Sequence, residues 1–120
     1  MAQRTPFSFP KARRLTRASE FERVKRGALV RRGKLFTLSV CVVENSGACR
    51  VGFITTRHLG SAVVRNRVRR RLREIVRQHQ HDLRQDVWVV LVARRDAATA
   101  SYHALEDEWL RLARRASILL

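Results

Sequence analysis

Between Gly60 and Leu83 the chain reads GSAVVRNRVRRRLREIVRQHQHDL, and this stretch restricts the possible folds more than any other. Val64, Val68, Leu72, Ile75 and Val76 recur at spacings of four, four, three and one, the repeat of a single apolar helical stripe. On such a helix Arg67, Arg69, Arg70, Arg73 and Arg77 are expected on the side away from the stripe, with Arg65 beside it near the helix start. From Arg57 to Arg77 there are eight arginines and a single acid, Glu74. Solvated helical faces ordinarily mix both signs, because like charges four residues apart repel by roughly a few tenths of a kcal/mol. Here Arg65/Arg69, Arg67/Arg71, Arg69/Arg73 and Arg73/Arg77 are all like pairs. A helix that accepts this repulsion is expected to lie against a polyanion that relieves it.

The whole chain carries the same bias. Against 10 Asp and Glu stand 26 Lys and Arg, a net charge of +16. Nucleic acid is the expected partner, since each phosphate neutralised also releases condensed counterions. A membrane surface would call for a basic amphipathic helix with bulky apolar anchors or a lipidation signal, and neither is found at the chain ends. Lysine occurs only at Lys11, Lys25 and Lys34. Nearly all the positive charge is therefore guanidinium, whose planar fork suits phosphate oxygens and base faces, although a codon bias toward arginine would give the same composition. No helix-turn-helix or zinc pattern points to a DNA-binding module.

At 120 residues one domain is expected, over residues 15–120, preceded by a flexible arm at residues 1–14 whose Phe7 and Phe9 can still pack on it. Cys41 and Cys49 lack a second pair or a flanking His at ligand spacing and read as free thiols. No run approaches a membrane span or a secretory leader, so a cytoplasmic location is expected. His79 and His81 are two apart and cannot share a helix face, and His58 and His103 have no acid or Cys partner at a telling spacing. Neither a metal centre nor a protein-borne hydrolytic site is expected.

Around the arginine helix the other elements fall into place. In LTRASEFERVKRG, Thr16 or Ser19 can cap a helix that Gly27 ends, with Leu15, Phe21 and Val24 facing inward. LFTLSVCVV, residues 35–43, alternates so that Phe36, Leu38, Val40 and Val42 share one side of a strand. Glu44-Asn45-Ser46-Gly47 supplies a turn into RVGFITT, and the two segments together predict a hairpin. VWVVLVA, residues 87–93, is apolar without a gap and is expected as a central strand buried on both faces. The last segment opens on Ser101 as a cap, carries Tyr102, Leu105, Trp109, Leu112 and Ala116 on one face, and places acids at 106 to 108 toward its N-terminal half. This is an α/β mixture of the α+β kind.

Arg65-Asn66-Arg67, followed by Val68, Arg69, Arg70, Leu72 and Arg73, resembles the RNR signature of the bacterial ribonuclease P protein family. The resemblance takes in Gly60-Ser61-Ala62-Val63-Val64, Arg50-Val51-Gly52-Phe53, Arg14-Leu15 with Ser19-Glu20-Phe21, and Val89 to Arg94, and it runs from about Arg14 to about Ser117. It implies a single α-β-β-β-α-β-α domain with a central mixed sheet and a left-handed βαβ crossover, like the second domain of a small-subunit ribosomal protein. Periodicity alone would never suggest that hand. It further implies a protein subunit that binds the catalytic ribonuclease P RNA and the 5′ leader of precursor tRNA, while the RNA, with magnesium, removes the leader. Carried over by position, Arg65, Asn66, Arg67, Arg69, Arg70, Arg73 and Arg77 would contact RNA, with a helix cap as the other reading of Asn66. Phe21 and Phe36 match aromatics of a leader-binding cleft, with core packing as the competing role for each. Lys25 stands where the family often has a second aromatic, so stacking there would give way to a phosphate contact. A small basic ribosomal protein without enzymatic role is the other function that size and charge allow.

Overall fold

The computed structural model describes residues 13–27 and 29–120, so the expected arm, with Phe7 and Phe9, lies outside the described residues except for Arg13 and Arg14. The elements are α1 (Ala18–Arg26), β1 (Leu29–Arg32), β2 (Phe36–Val42), β3 (Arg50–Ile54), α2 (Ala62–Gln78), β4 (Val87–Ala93) and α3 (Tyr102–Arg115). They form one four-stranded sheet in the order β1-β2-β4-β3. The α-β-β-β-α-β-α order and the mixed sheet match the expectation.

The hairpin does not form. β2 and β3 never pair; β4 inserts between them, antiparallel to β2 (Phe36 opposite Ala93, Val42 opposite Val87) and parallel to β3 (Arg50 opposite Trp88, Ile54 opposite Val92). The physical reason is the gapless apolar run of β4. It needs cover on both faces and partners on both edges, and this outweighs the local pairing that the turn would favour. The turn itself is present, with Asn45 and Gly47 both at positive φ (61° and 80°).

Two apolar layers result. On one face α2 and α3 pack on the sheet through Val68, Leu72, Ile75, Val76, Leu105, Trp109 and Leu112 against Phe36, Leu38, Val89 and Leu91. On the other face α1 alone covers a smaller layer of Leu15, Val24, Cys41, Val43 and Val90. Val42 departs from its expected place, since at the last position of β2 it remains 57% exposed. Both thiols are free and buried, and burial pushes that of Cys49 up to about 12.

Ser101 caps α3 as expected, through Ala104 N–H, and Ser61, not singled out as a cap from the sequence, caps α2 through Val64 N–H. On α1 neither Thr16 nor Ser19 does so. Arg17 occupies the cap position, and the Glu20 carboxylate reaches back to the N–H groups of Thr16 and Arg17, each at 2.9 Å. Glu108 is also more than a helix-terminal charge. It is 5% exposed and accepts the N–H groups of Lys34 (3.2 Å), Leu35 (2.6 Å) and Phe36 (3.0 Å), which fastens α3 to the turn between β1 and β2.

Candidate nucleic-acid interface

The stripe on α2 is buried from Val68 through Val76, with Val64 half-buried at its start, and this turns the arginines outward in two groups. Toward β3 lie Asn66, Arg69 and Arg73, which with Arg70 line a depression of about 250 Å³. Arg69 donates to the Asn66 amide oxygen (3.1 Å) and to the Thr55 hydroxyl (2.5 Å). Asn66 is therefore no cap; it is exposed in the second turn and orients a guanidinium. Burial, followed by the charges of Arg14 and Arg69, holds Arg73 below the usual guanidinium range. The Nε atoms of Arg14, Arg65 and Arg73 are buried without a hydrogen-bond partner.

Toward α3 lie Arg67 and Arg71, which donate to the carbonyls of Ala98 (3.0 Å) and Ala100 (3.1 Å). With Val63, Arg70, Glu74 and Tyr102 they line a groove of about 550 Å³. Arg77 does not belong to the outward set. It is only 9% exposed, and its Nε and Nη2 hold the Glu74 carboxylate at 2.9 and 2.5 Å. That hydrogen bond lowers the Glu74 pKa and raises that of Arg77. A helical wheel places Arg77 opposite the stripe but knows nothing of neighbouring elements. Here Tyr102, at the start of α3, lines the same groove as Glu74, the partner that Arg77 holds.

On the other face of the sheet, α1 and the strands enclose a cleft of about 350 Å³. Phe21, Glu22, Val24 and Lys25 line it from the helix, and Ser39, Ile54, Val90 and Val92 from the sheet. The Phe21 ring lies on Gly52, so close that any Cβ at position 52 would overlap it. Phe36 is absent from this cleft. It is fully buried in the opposite layer, because its strand parity is that of Leu38 and Val40, not that of Ser39.

The structure thus brings Phe21 and Lys25 together on one cleft wall, places Phe36 and Arg77 away from the surfaces expected for them, and adds Arg14 and Thr55, which sequence reasoning missed, as neighbours of the signature helix. Arg14 makes a parallel bridge to Val51, which brings an N-terminal residue beside β3. Among the described residues no three His, Cys, Asp or Glu side chains are grouped to hold a metal ion, and no helix is long and apolar enough to cross a membrane. His79 approaches Glu106 (3.4 Å) and Asp82 (4.0 Å), and the exposed His103 approaches Asp107 (3.6 Å).

A protein-family model described as Ribonuclease P matches residues 9–117. The ribonuclease P protein component of Brucella melitensis biotype 1 is 40% identical over 107 residues, which span 82% of this chain and 75% of the relative. That of Citrifermentans bemidjiense is 36% identical over 104 residues, 87% of this chain and 88% of the relative. Among solved structures, the Staphylococcus aureus RNase P protein superposes with a TM-score of 0.84 at 21% identity, over 92% of this chain and 100% of that one. The Thermotoga maritima RNase P protein does so with 0.76 at 20% identity, over 85% and 96%. At such identities these two likenesses speak for the fold, a four-stranded mixed sheet with three helices.

Proposed function

The chain belongs to the ribonuclease P protein family and is a protein component of that ribonucleoprotein endoribonuclease, and we propose that its two surfaces divide the work of recognition. The outer face of α2 docks on the ribonuclease P RNA, and the cleft beside α1 receives the single-stranded 5′ leader of precursor tRNA in the cytoplasm. Phosphodiester hydrolysis belongs to the RNA subunit with its magnesium ions, and no residue of this chain is assigned to that metal. A ribosomal protein, the other class that size and charge allow, is not favoured for a member of this family.

One observation carries the reading: Arg73 is partly desolvated beside Arg14 and Arg69, and no carboxylate pairs with any of the three among the described residues. Like charges brought together in this way cost free energy that an RNA phosphate recovers by its opposite charge. Asn66 and Thr55 hold Arg69 in place for the same contact. Arg67 and Arg70 extend the surface along the helix. In the cleft, the Phe21 ring offers a face for an unpaired base and Lys25 a charge for a phosphate.

The test is a salt titration of the chain against a bacterial ribonuclease P RNA. Affinity is expected to fall steeply, each neutralised phosphate adding about one unit of log-log slope, and Arg73→Ala is expected to reduce the slope by about one unit. A flat salt response, or a slope indifferent to Arg73, would contradict the docking assignment.

A further inference from the structure

Inward-facing Val24 and Phe21 divide α1 into two flanks. Glu22 and Lys25 lie on the flank that borders the cleft. Glu20 and Arg23 lie on the opposite flank, and there a network of a different kind is built around Trp88 of β4. The guanidiniums of Arg23 and Arg50 stand 5.2 and 5.1 Å from the Trp88 ring centroid. Arg50 also pairs with Glu20 at 2.5 Å and donates to the Arg14 carbonyl at 2.9 Å. The Trp88 indole N–H donates to the Ser46 hydroxyl at 2.8 Å, and Ser46 in turn donates to the Ala48 carbonyl at 2.7 Å. Helix α1, the residue that leads into it, β3, β4 and the turn after β2 thus converge on one indole.

We propose that Trp88, in contact with the guanidiniums of both Arg23 and Arg50, is a positioning residue that fixes the seat of α1 on the sheet and so sets the opening of the leader cleft on the helix's other side. This rests on the reading of that cleft given above. The layer beneath α1 contains few fully buried side chains, and apolar contact is non-directional. A helix held by so small a layer can slide or tilt at little cost. The indole, by contrast, imposes direction. Two cations need its ring where it is, Ser46 ties its N–H, and the Glu20–Arg50 pair fixes the first turn of α1 against β3. Because Phe21 and Lys25 lie on the same short helix, a change of its seat moves both relative to Ile54 and Val92.

The experiment compares Trp88→Leu, Trp88→Phe and Arg23→Gln in holoenzyme reconstituted with ribonuclease P RNA. Arg23 is exposed, so its variant keeps the fold even where Trp88→Leu does not. The quantity measured is the ratio of affinities for precursor and mature tRNA, in which general charge effects cancel. Losing one or both cation–π contacts is expected to lower this ratio by roughly 3- to 10-fold in Trp88→Leu and less in Arg23→Gln. Trp88→Phe, which retains a ring, should recover part of the loss. A second readout is independent of any leader. Spin labels at Glu22→Cys and Thr37→Cys, with Cys41 and Cys49 replaced by alanine, should give a narrow distance distribution that broadens or shifts in Trp88→Leu and Arg23→Gln. An unaltered distribution in both variants overturns the clamp. An altered distribution with an unchanged affinity ratio, where Phe21→Ala abolishes the leader preference, overturns its link to binding. If Phe21→Ala leaves the leader preference intact, the leader reading of the cleft fails, and the clamp is judged on the distances alone.

Discussion

Phe21 of α1 rests on the bare backbone of Gly52 in β3, and this contact leaves the wall of the cleft no room for a side chain beneath the ring. Gly52 has no left-handed conformation to maintain, so its lack of a Cβ serves the contact itself. A methyl group at this position must push Phe21 off the sheet, since Leu15 already closes the other side. Gly52→Ala is expected to cost about 1–3 kcal/mol of stability, as overpacking typically does, and to weaken holoenzyme binding of precursor tRNA more than that of mature tRNA. Wild-type discrimination between the two tRNAs would show that the ring has no part in leader binding.

Phe21→Ala approaches the same wall from the opposite direction. Loss of a stacking platform is expected to reduce affinity for precursor tRNA by about 1–3 kcal/mol with little change for mature tRNA. Truncating a buried Phe commonly costs about 3–5 kcal/mol of stability, and the half-buried Phe21 should lose less, so melting is recorded alongside. Equal weakening for both tRNAs, or an effect confined to the melting temperature, would make Phe21 a packing residue only.

The α2 arginines separate into those that face out and Arg77, which holds the Glu74 carboxylate. Arg70→Ala removes an exposed guanidinium and is expected to weaken assembly with ribonuclease P RNA by about 1–3 kcal/mol, leaving thermal stability nearly unchanged. Arg77→Ala leaves the half-buried Glu74 without its bidentate partner and should do the reverse. Parallel melting and RNA-binding curves check this, and a loss of RNA affinity for Arg77→Ala equal to that for Arg70→Ala would return Arg77 to the interface.

Why Arg77 and Phe36 were misplaced, while α2 and β4 were legible, has a common physical cause. The apolar stripe of α2 and the gapless run of β4 are local patterns that dictate burial whatever else the chain does. Strand pairing and neighbouring elements are non-local. The turn at residues 44–47 reads as a hairpin turn, yet β4, far along the chain, takes the place of the expected partner. Phe36 follows Leu38 and Val40 into the layer under α2 and α3, but nothing in the alternation says which face receives α1. Glu108 reads as a helix-terminal acid because the N–H groups it accepts lie more than seventy residues away. Of the two surfaces, the cationic helix was visible in sequence, whereas the cleft was reached only through the family resemblance.

Glu20 provides a pH test of the α1 seat. Burial alone would raise its pKa, but the N–H groups of Arg17 and Thr16 and the charge of Arg50 outweigh this and leave it lowered. A carboxylate depressed on folding contributes stability that is present above its unfolded value and is lost as pH falls through its folded value. Glu20→Gln should therefore be less stable than wild type at neutral pH, by about 1 kcal/mol as for a lost helix cap, and the gap should close in acid. Melting curves from neutral pH down into the acid range check this, and a gap that is constant with pH would mean that the charge of Glu20 is irrelevant.

The most direct test of the account is reconstitution of 5′ leader removal from precursor tRNA at low magnesium, with the chain alone, a bacterial ribonuclease P RNA alone, and the two together. The chain alone should cleave nothing, the RNA alone little, and the mixture efficiently, because recognition lies in the protein and chemistry in the RNA. Cleavage by the chain free of RNA, or a mixture no faster than the RNA by itself, would contradict it.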